Sequence, residues 1–595
     1  MGAIFRRIWK VRQQLILILA PLVFLPALFL MPHKEGSCLY IILIMATFWC
    51  TEALPLAVTS LLPICLFPFF GVLPSSKTCP LYFLDTNILF FGGLMIAVAI
   101  EDCKLHRRVA LRILMCLGVN PFMLILGMML TTALLSMWLS NTATTAMMMP
   151  VATAILKSLY SDLGVVEQNG MTVNTEEPQE NESAARGSKE YQETPNERKN
   201  VLQELEIDGP QLPIGKNYEN NQHKDIAKGI LISIPYAATI GGVTTLTGTP
   251  PNLILDGQLK SIFPQSDELN FGSWFLFASP LTLLFLIFGW LWLSFMYGGL
   301  NLRSLIKKKN TEAEARAKAV LQTEYAKLGS ISFAEGAMAT FFILFVLLLF
   351  TRDPKFMTGW EKIFQPKYVT DAVVAMTVVI ILFIFPSRKP SFKWNTNPKE
   401  PITPNQPLLT WKKVQDNVAW NVILLVGGGF AIAKGCEESG LSRWIGNRLH
   451  PLEHISPSIA VLLICLVIAS FTEFASNTAT SVIFLPVLAE LAVRVRVHPL
   501  YLMIPGAVSC SFAFMLPVAT PPNAIAFTTG QLKVKDMIKA GMLMNILGII
   551  FVNLSLNTWG SLIFKLSTFP KWAEPFMNDT RAATNVKQQF LNTTY

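Results

Sequence analysis

The sequence predicts an all-α polytopic membrane protein of about eleven transmembrane helices and two re-entrant hairpins, built as an inverted repeat. Three observations predict it. The 595 residues are 52% hydrophobic and only 15% charged, and apolar stretches of about 18 to 23 residues, each long enough to cross roughly 30 Å of hydrocarbon, recur along them. Two polar phrases each occur twice inside apolar runs: Ser140-Asn141-Thr142 with Ser476-Asn477-Thr478, and Thr249-Pro250-Pro251-Asn252 with Thr520-Pro521-Pro522-Asn523. The first pair is 336 positions apart and the second 271, and the difference of 65 matches the one long polar stretch between the two phrases of the first half. Gly92-Gly93 and Gly428-Gly429 repeat at the 336 offset as well.

Composition excludes several classes. A soluble chain of this length would divide into several charged domains. The net charge of +9 sits in loops beside the membrane and does not indicate nucleic-acid binding. Leu15–Met31 follows Arg6, Arg7, Lys10 and Arg12 but is long and lacks a small-residue cleavage site, so it reads as a span and not a cleaved leader. Cys50, Cys65, Cys116, Cys465 and Cys510 lie in apolar runs without metal spacing and read as buried structural residues. The six histidines fall in loops or at span ends, away from the repeated phrases, which argues against a metalloenzyme.

Taken in order, spans are read at 14–31, 39–56, 57–73 and 86–102, followed by a basic segment with Lys104, Arg107, Arg108 and Arg112. The run 121–160 is broken at Ser140-Asn141-Thr142, and the polar insertion 161–226 reads as disordered from its Glu, Asn, Gln and Lys content. Spans at 228–262 (broken at 248–252) and 276–298 lead to a basic loop at 303–318; spans at 334–350 and 371–386 lead to another at 388–399. The plan then repeats: a span at 420–435, a broken run 456–493, a broken span 499–530, the basic group 533–539, and a last span at 540–560.

The tips at 140–142 and 476–478 carry no flanking charge and read as buried at mid-membrane, where non-helical backbone must line a cavity. With each hairpin counted as no crossing, the N-terminus and all basic clusters share the cytosolic side. The C-terminus then lies outside, where Asn578 and Asn592 begin glycosylation sequons. Arg443, Arg448, Arg494 and Arg496 fall on the outer side and break the rule. Five crossings separate matched positions, so the halves are inverted. Inverted repeats with broken helices at the midplane are the signature of secondary transporters.

The residues at the breaks are small, polar and uncharged, with no Lys or Arg in 121–155 or 463–493. An anion there would be held by hydroxyls, amides and helix N-termini. Freed carbonyls with Asn and Ser oxygens make a cage suited to an alkali cation, which would offset the desolvation of a multiply charged anion. Glu52 and Glu473 read as intramembrane acids, functional by default; Glu473 is three residues before Ser476 and reads as a support of the second hairpin. Lys434 and Glu437 read as a helix-end ion pair.

These motifs, with Thr51-Glu52-Ala53-Leu54-Pro55-Leu56, Leu105-His106-Arg107-Arg108, Gly427-Gly428-Gly429-Phe430 and Glu437-Glu438-Ser439-Gly440-Leu441, resemble the divalent-anion/sodium symporter family over nearly the whole chain outside 161–226. The resemblance implies an elevator-type homodimer at the plasma membrane, cotransporting several sodium ions with a dicarboxylate. Its scaffold would comprise 1–120 and 301–455 (with a cytosolic linker), its transport domain 121–300 and 456–565, with 566–595 as a glycosylated outer tail. One sodium site would use Ser136, Ser140, Asn141 and the Gly248 backbone; the other Thr472, Ala475, Asn477 and the Ala519 backbone. Substrate carboxylates would meet Ser140, Asn141, Thr142, Ser476, Asn477 and Thr478, with Thr249, Thr520 and Pro521 nearby. Dicarboxylate relatives usually carry a smaller residue where Pro250 stands. Citrate or sulfate on the same scaffold, and an anion channel from another class, are the rival readings; no nucleophile, base or metal constellation points to an enzyme.

Overall fold

The computed structural model describes residues 11–117, 121–159, 219–298, 312–354, 357–365, 368–389, 405–441, 444 and 456–574. Among them the chain is helical throughout, with one isolated bridge between Pro386 and Pro407 in place of any strand. Among the described residues seven helices are long and apolar enough to cross a membrane, or up to eight if Trp411–Asn417 and Trp420–Ser439, bent by 70° at their junction, count as one span. Other expected spans are shorter apolar helices. The 57–73 stretch divides into Leu56–Ser60 and Leu62–Phe69, with prolines at 63 and 68. The first span, one of the seven, comprises the helices Arg12–Phe24 and Ala27–Leu30 on either side of Leu25-Pro26.

Two segments read as loops are helices. Leu105–Leu117 buries Ala110, Leu111 and Leu114 on one face, and Glu312–Ala326 buries Ala317 and Leu321. Their buried apolar residues follow helical spacing, and of the charged residues Arg108 is buried with them. The end of the polar insertion is also ordered, since the helix Glu219–Val243 starts inside it; residues 160–218 lie outside those described, as do Arg443, Arg448, Asn578 and Asn592. Cys50, Cys65 and Cys116 are exposed on the protein surface, unlike Cys465 and Cys510, which are buried. Apolar runs on a membrane protein present one face outward, so position in such a run does not imply burial. Glu52 is exposed in a left-handed turn (φ 49°) after the helix His33–Thr51, so it terminates a helix.

Polar contacts between loops sort into two sets. In one, Arg108 bonds the carbonyls of Leu328, Gly329 and Ser330 and pairs with Glu335, Lys413 meets Asp102 at 2.7 Å, and the Asp536 carbonyl accepts from Tyr297. In the other, Thr370 donates to Asp85, Asn270 to Asp353, Trp572 to Glu268, and Tyr501 to Asn557. The helix Asp85–Asp102 runs from the second set to the first, and Val534–Ser555 from the first to the second. The runs that contain the Ser-Asn-Thr phrases attach at opposite ends. Phe122 accepts from Trp290, and Pro150 and Ala154 line a cavity of about 490 Å³ with Lys104 and Glu324, in the first set. Ser458, at the start of the second run, meets Tyr501, just beyond its end, at 3.3 Å in the second set.

Candidate functional site

Each Ser-Asn-Thr phrase starts a helix. Ser140 precedes Asn141–Leu159 and Ser476 precedes Asn477–Val495. Both serines cap in the same way: Ser140 Oγ accepts from the Ala143 N–H and Ser476 Oγ from the Ala479 N–H, each at 3.2 Å. Capping by a serine hydroxyl satisfies one of the four free N–H groups of a helix start. The preceding helices end in hydroxyls that turn back onto the asparagines. Ser136 Oγ donates to Asn141 Oδ1 at 2.7 Å. Thr472 Oγ1 is 3.0 Å from Asn477 Oδ1 and 2.7 Å from the Cys510 carbonyl, and shares one proton between them.

The second pair of breaks also matches. Thr249 and Thr520 are both extended and both precede two prolines at the first helical positions. Proline has no N–H, so these helix starts offer two fewer donors to an anion than the helices at Asn141 and Asn477. The helix starts with more free N–H groups are therefore those at Asn141 and Asn477. Thr520 Oγ1 accepts from the Asn523 N–H at 3.5 Å. Thr249 makes no such cap bond and is 3% exposed.

The structure brings the predicted residues of the first half together. A Cβ on Gly242 would fall 2.6 Å from Asn141 Oδ1 and 3.2 Å from the Gly248 carbonyl, so Ser136, Asn141 and Gly248 border one small space. Thr245 Oγ1 holds the turn by donating to the Met137 carbonyl at 2.5 Å. Gly241 lies against the Ala133 backbone, where a Cβ would be 2.3 Å from its carbonyl. In the second half, Thr472 grips Cys510 and the next residue, Glu473, takes the backbone N–H of Met515 and Leu516 at 3.0 and 3.1 Å. The Leu516 carbonyl accepts from the Ala519 N–H, and Ala475 is buried at the tip.

The halves then interlock. Asn141–Leu159 packs against Pro521–Phe527, and Asn477–Val495 packs against Pro250–Ile262. Ser140, Thr142 and Pro521 are exposed, and Thr478 is buried. Among the described residues no group of three His, Cys, Asp or Glu side chains forms a metal cluster. Lys434 and Glu437 form the expected helix-end pair at 2.8 Å.

Several residues here lie outside the predicted set: Gly242, Thr245, Asn252, Asn523 and Asn545, whose amide donates to Glu473 Oε1 at 2.8 Å. The offset of 271 contained the signal for the first four, because it maps Gly242, Thr245 and Gly248 onto Ala513, Leu516 and Ala519. Asn545 had none.

The family model described as the sodium:sulfate symporter transmembrane region matches residues 6–566. The chain is 58% identical to the Na(+)/dicarboxylate cotransporter 3 of Homo sapiens, covering 97% of this chain and 96% of that one. It is 46% identical to the Na(+)/citrate cotransporter of Rattus norvegicus over 95% of this chain and 97% of that one. Solute carrier family 13 member 2 of Homo sapiens is 45% identical, with 96% and 97% covered.

Proposed function

The chain belongs to the sodium:sulfate symporter family, and on that premise we propose that it imports C4 dicarboxylates such as succinate, and related acids such as α-ketoglutarate, by sodium-coupled, electrogenic symport. It is a membrane transporter and not an enzyme, and sodium is its cotransported ion. The observation that carries the choice of dicarboxylate is the 58% identity to the dicarboxylate cotransporter over nearly the full length of both chains, against 46% for the citrate relative.

In this reading one sodium ion is held by Ser136, Ser140, Asn141 and the Gly248 carbonyl, and another by Thr472, Ala475, Asn477 and the Ala519 carbonyl. The two hydroxyl–amide pairs, at matched positions, support it. The substrate lies between the tips, with Ser140, Asn141, Thr142, Ser476, Asn477 and Thr478 around its carboxylates and Thr249, Thr520 and Pro521 beside them. A dianion without an arginine partner is costly to desolvate, so bound cations and substrate favour each other.

The two sets of loop contacts support re-entrant hairpins opening to opposite ends, hence an inverted repeat. The further readings are eleven crossings, a cytosolic N-terminus, an outer C-terminus glycosylated at Asn578 and Asn592, a plasma-membrane homodimer, and an elevator motion. That motion carries residues 121–300 and 456–565 against a scaffold of 1–120 and 301–455. The test of function is radiolabelled succinate uptake in cells expressing the chain, in sodium and then in choline, with excess sulfate or citrate as competitor. Sodium-dependent uptake insensitive to sulfate is expected. Sodium-driven sulfate entry without succinate uptake would move the specificity to the sulfate branch.

A further inference from the structure

Asn252 and Asn523 each stand third in the half-helix that follows a break, after Thr-Pro-Pro. A polar side chain at that position ordinarily reaches back to the N-terminal backbone of its own helix. These two reach across the break instead. Asn252 Nδ2 lies 3.4, 3.2 and 2.8 Å from the carbonyls of Gly242, Val243 and Thr245. Asn523 Nδ2 lies 2.9 and 3.0 Å from those of Ala513 and Leu516. The acceptors correspond at the same offset of 271 as the asparagines, Gly242 to Ala513 and Thr245 to Leu516. Both side chains are buried, at 0% and 1% exposure. Each amide thus joins the carbonyl end of one half-helix to the start of the next, where two prolines have removed the backbone donors.

We infer that Asn252 and Asn523 are positioning residues for cation binding, each fixing the unwound stretch whose Gly248 or Ala519 carbonyl meets the ion. The inference rests on the sodium-symport reading. Without the amide, the carbonyls of Thr245 and Leu516 lose a donor and the turn loses the tie that sets its span. In the first half that span decides how far the Gly248 carbonyl lies from Asn141 Oδ1, since both border Gly242. Neither asparagine touches the ion; each holds the backbone that does.

The test uses the purified full chain and reads the rise in Tm produced by sodium without substrate, so it does not depend on which anion is carried. Asn252→Ala and Asn523→Ala are compared with Asn87→Ala. Asn87 is equally buried and donates to the Tyr82 and Ile423 carbonyls at 2.7 and 3.1 Å, neither of which belongs to a break. All three lose an amide–carbonyl contact, so all three lower Tm in sodium-free buffer. Only the two break variants are expected to need about five- to tenfold more sodium for the half-maximal shift, the scale of one lost hydrogen bond. Asn252→Ser and Asn523→Ser, which keep one donor, are expected to recover part of it. If the alanine variants do not survive purification, the serine variants are scored by sodium dependence of uptake per surface molecule. Sodium midpoints no more displaced than that of Asn87→Ala would overturn the inference, as would a wild-type Tm that ignores sodium. A sodium response with no succinate uptake would remove the dicarboxylate reading and leave the two clamps standing.

Discussion

The two hydroxyl–amide pairs differ by one methyl group, Ser136 against Thr472, and their surroundings differ in the same sense, Gly242 and Gly248 against Ala513 and Ala519. The first half therefore packs its backbone more closely around its asparagine. Gly242→Ala is expected to reach the surface but raise the sodium needed for half-maximal uptake, because its Cβ would fall 2.6 Å from Asn141 Oδ1. Overpacking of this kind costs about 1–3 kcal/mol, and wild-type sodium dependence at normal surface density would refute it. Asn141→Ala and Asn477→Ala each remove the oxygen that accepts from Ser136 or Thr472. Both should be expressed at the surface and lose sodium-driven uptake; normal uptake in either would end its assignment as a ligand. At this scale the sequence was legible wherever a residue lay inside a repeated phrase. Asn545 stands in no such phrase, and its contact with Glu473 joins residues 72 positions apart, which no local pattern announces.

Among the elements, the least legible were the two helices at the first set of loop contacts. The basic cluster Lys104–Arg112 fits a topology signal, yet one of its arginines is a structural pin. Arg108 enters a site where it is 9% and Glu335 6% exposed by side chain, and Glu335 at the same time closes the capping box with Ser332 that starts Phe333–Arg352. Tyr325 lies under the guanidinium at 5.6 Å. Removing one member of a buried, bonded pair typically costs about 3–5 kcal/mol. Arg108→Ala should therefore lower the Tm of the purified protein and its surface level, while leaving the sodium midpoint of what remains unchanged. A variant with wild-type Tm would mean the pair contributes nothing to stability. The partner lies 227 positions away, so the sequence could supply the charge but not its destination. Span lengths were legible for the uninterrupted apolar helices and less so where proline divides them, as at Pro63 and Pro68.

For the whole molecule, the repeat offsets were the strongest signal, because they relate distant segments without any knowledge of contacts. They gave the pairing of the breaks but not the crossed packing, in which each hairpin helix rests on the broken helix of the other half. Orientation follows from charge counting alone and has a direct check. Asn578→Gln and Asn592→Gln should each remove part of the mass that glycosidase treatment removes, and the double variant should lose all of it and be insensitive to glycosidase. A wild-type chain whose mass glycosidase never changes would contradict an outer C-terminus.

Trp138 and Phe474 hold matched places at the two tips. Trp138 is wedged among Phe271, Phe342 and Phe345, with centroids 5.1–6.4 Å away. Phe474 is 80% exposed. The halves of this duplicated chain are therefore no longer interchangeable parts. A chimera with the second hairpin grafted in place of the first would seat a phenyl where an indole bridges three rings, and the opposite graft would strand that indole in the open. The repeated phrases match, but the ring cluster beside the first tip makes the two halves unequal.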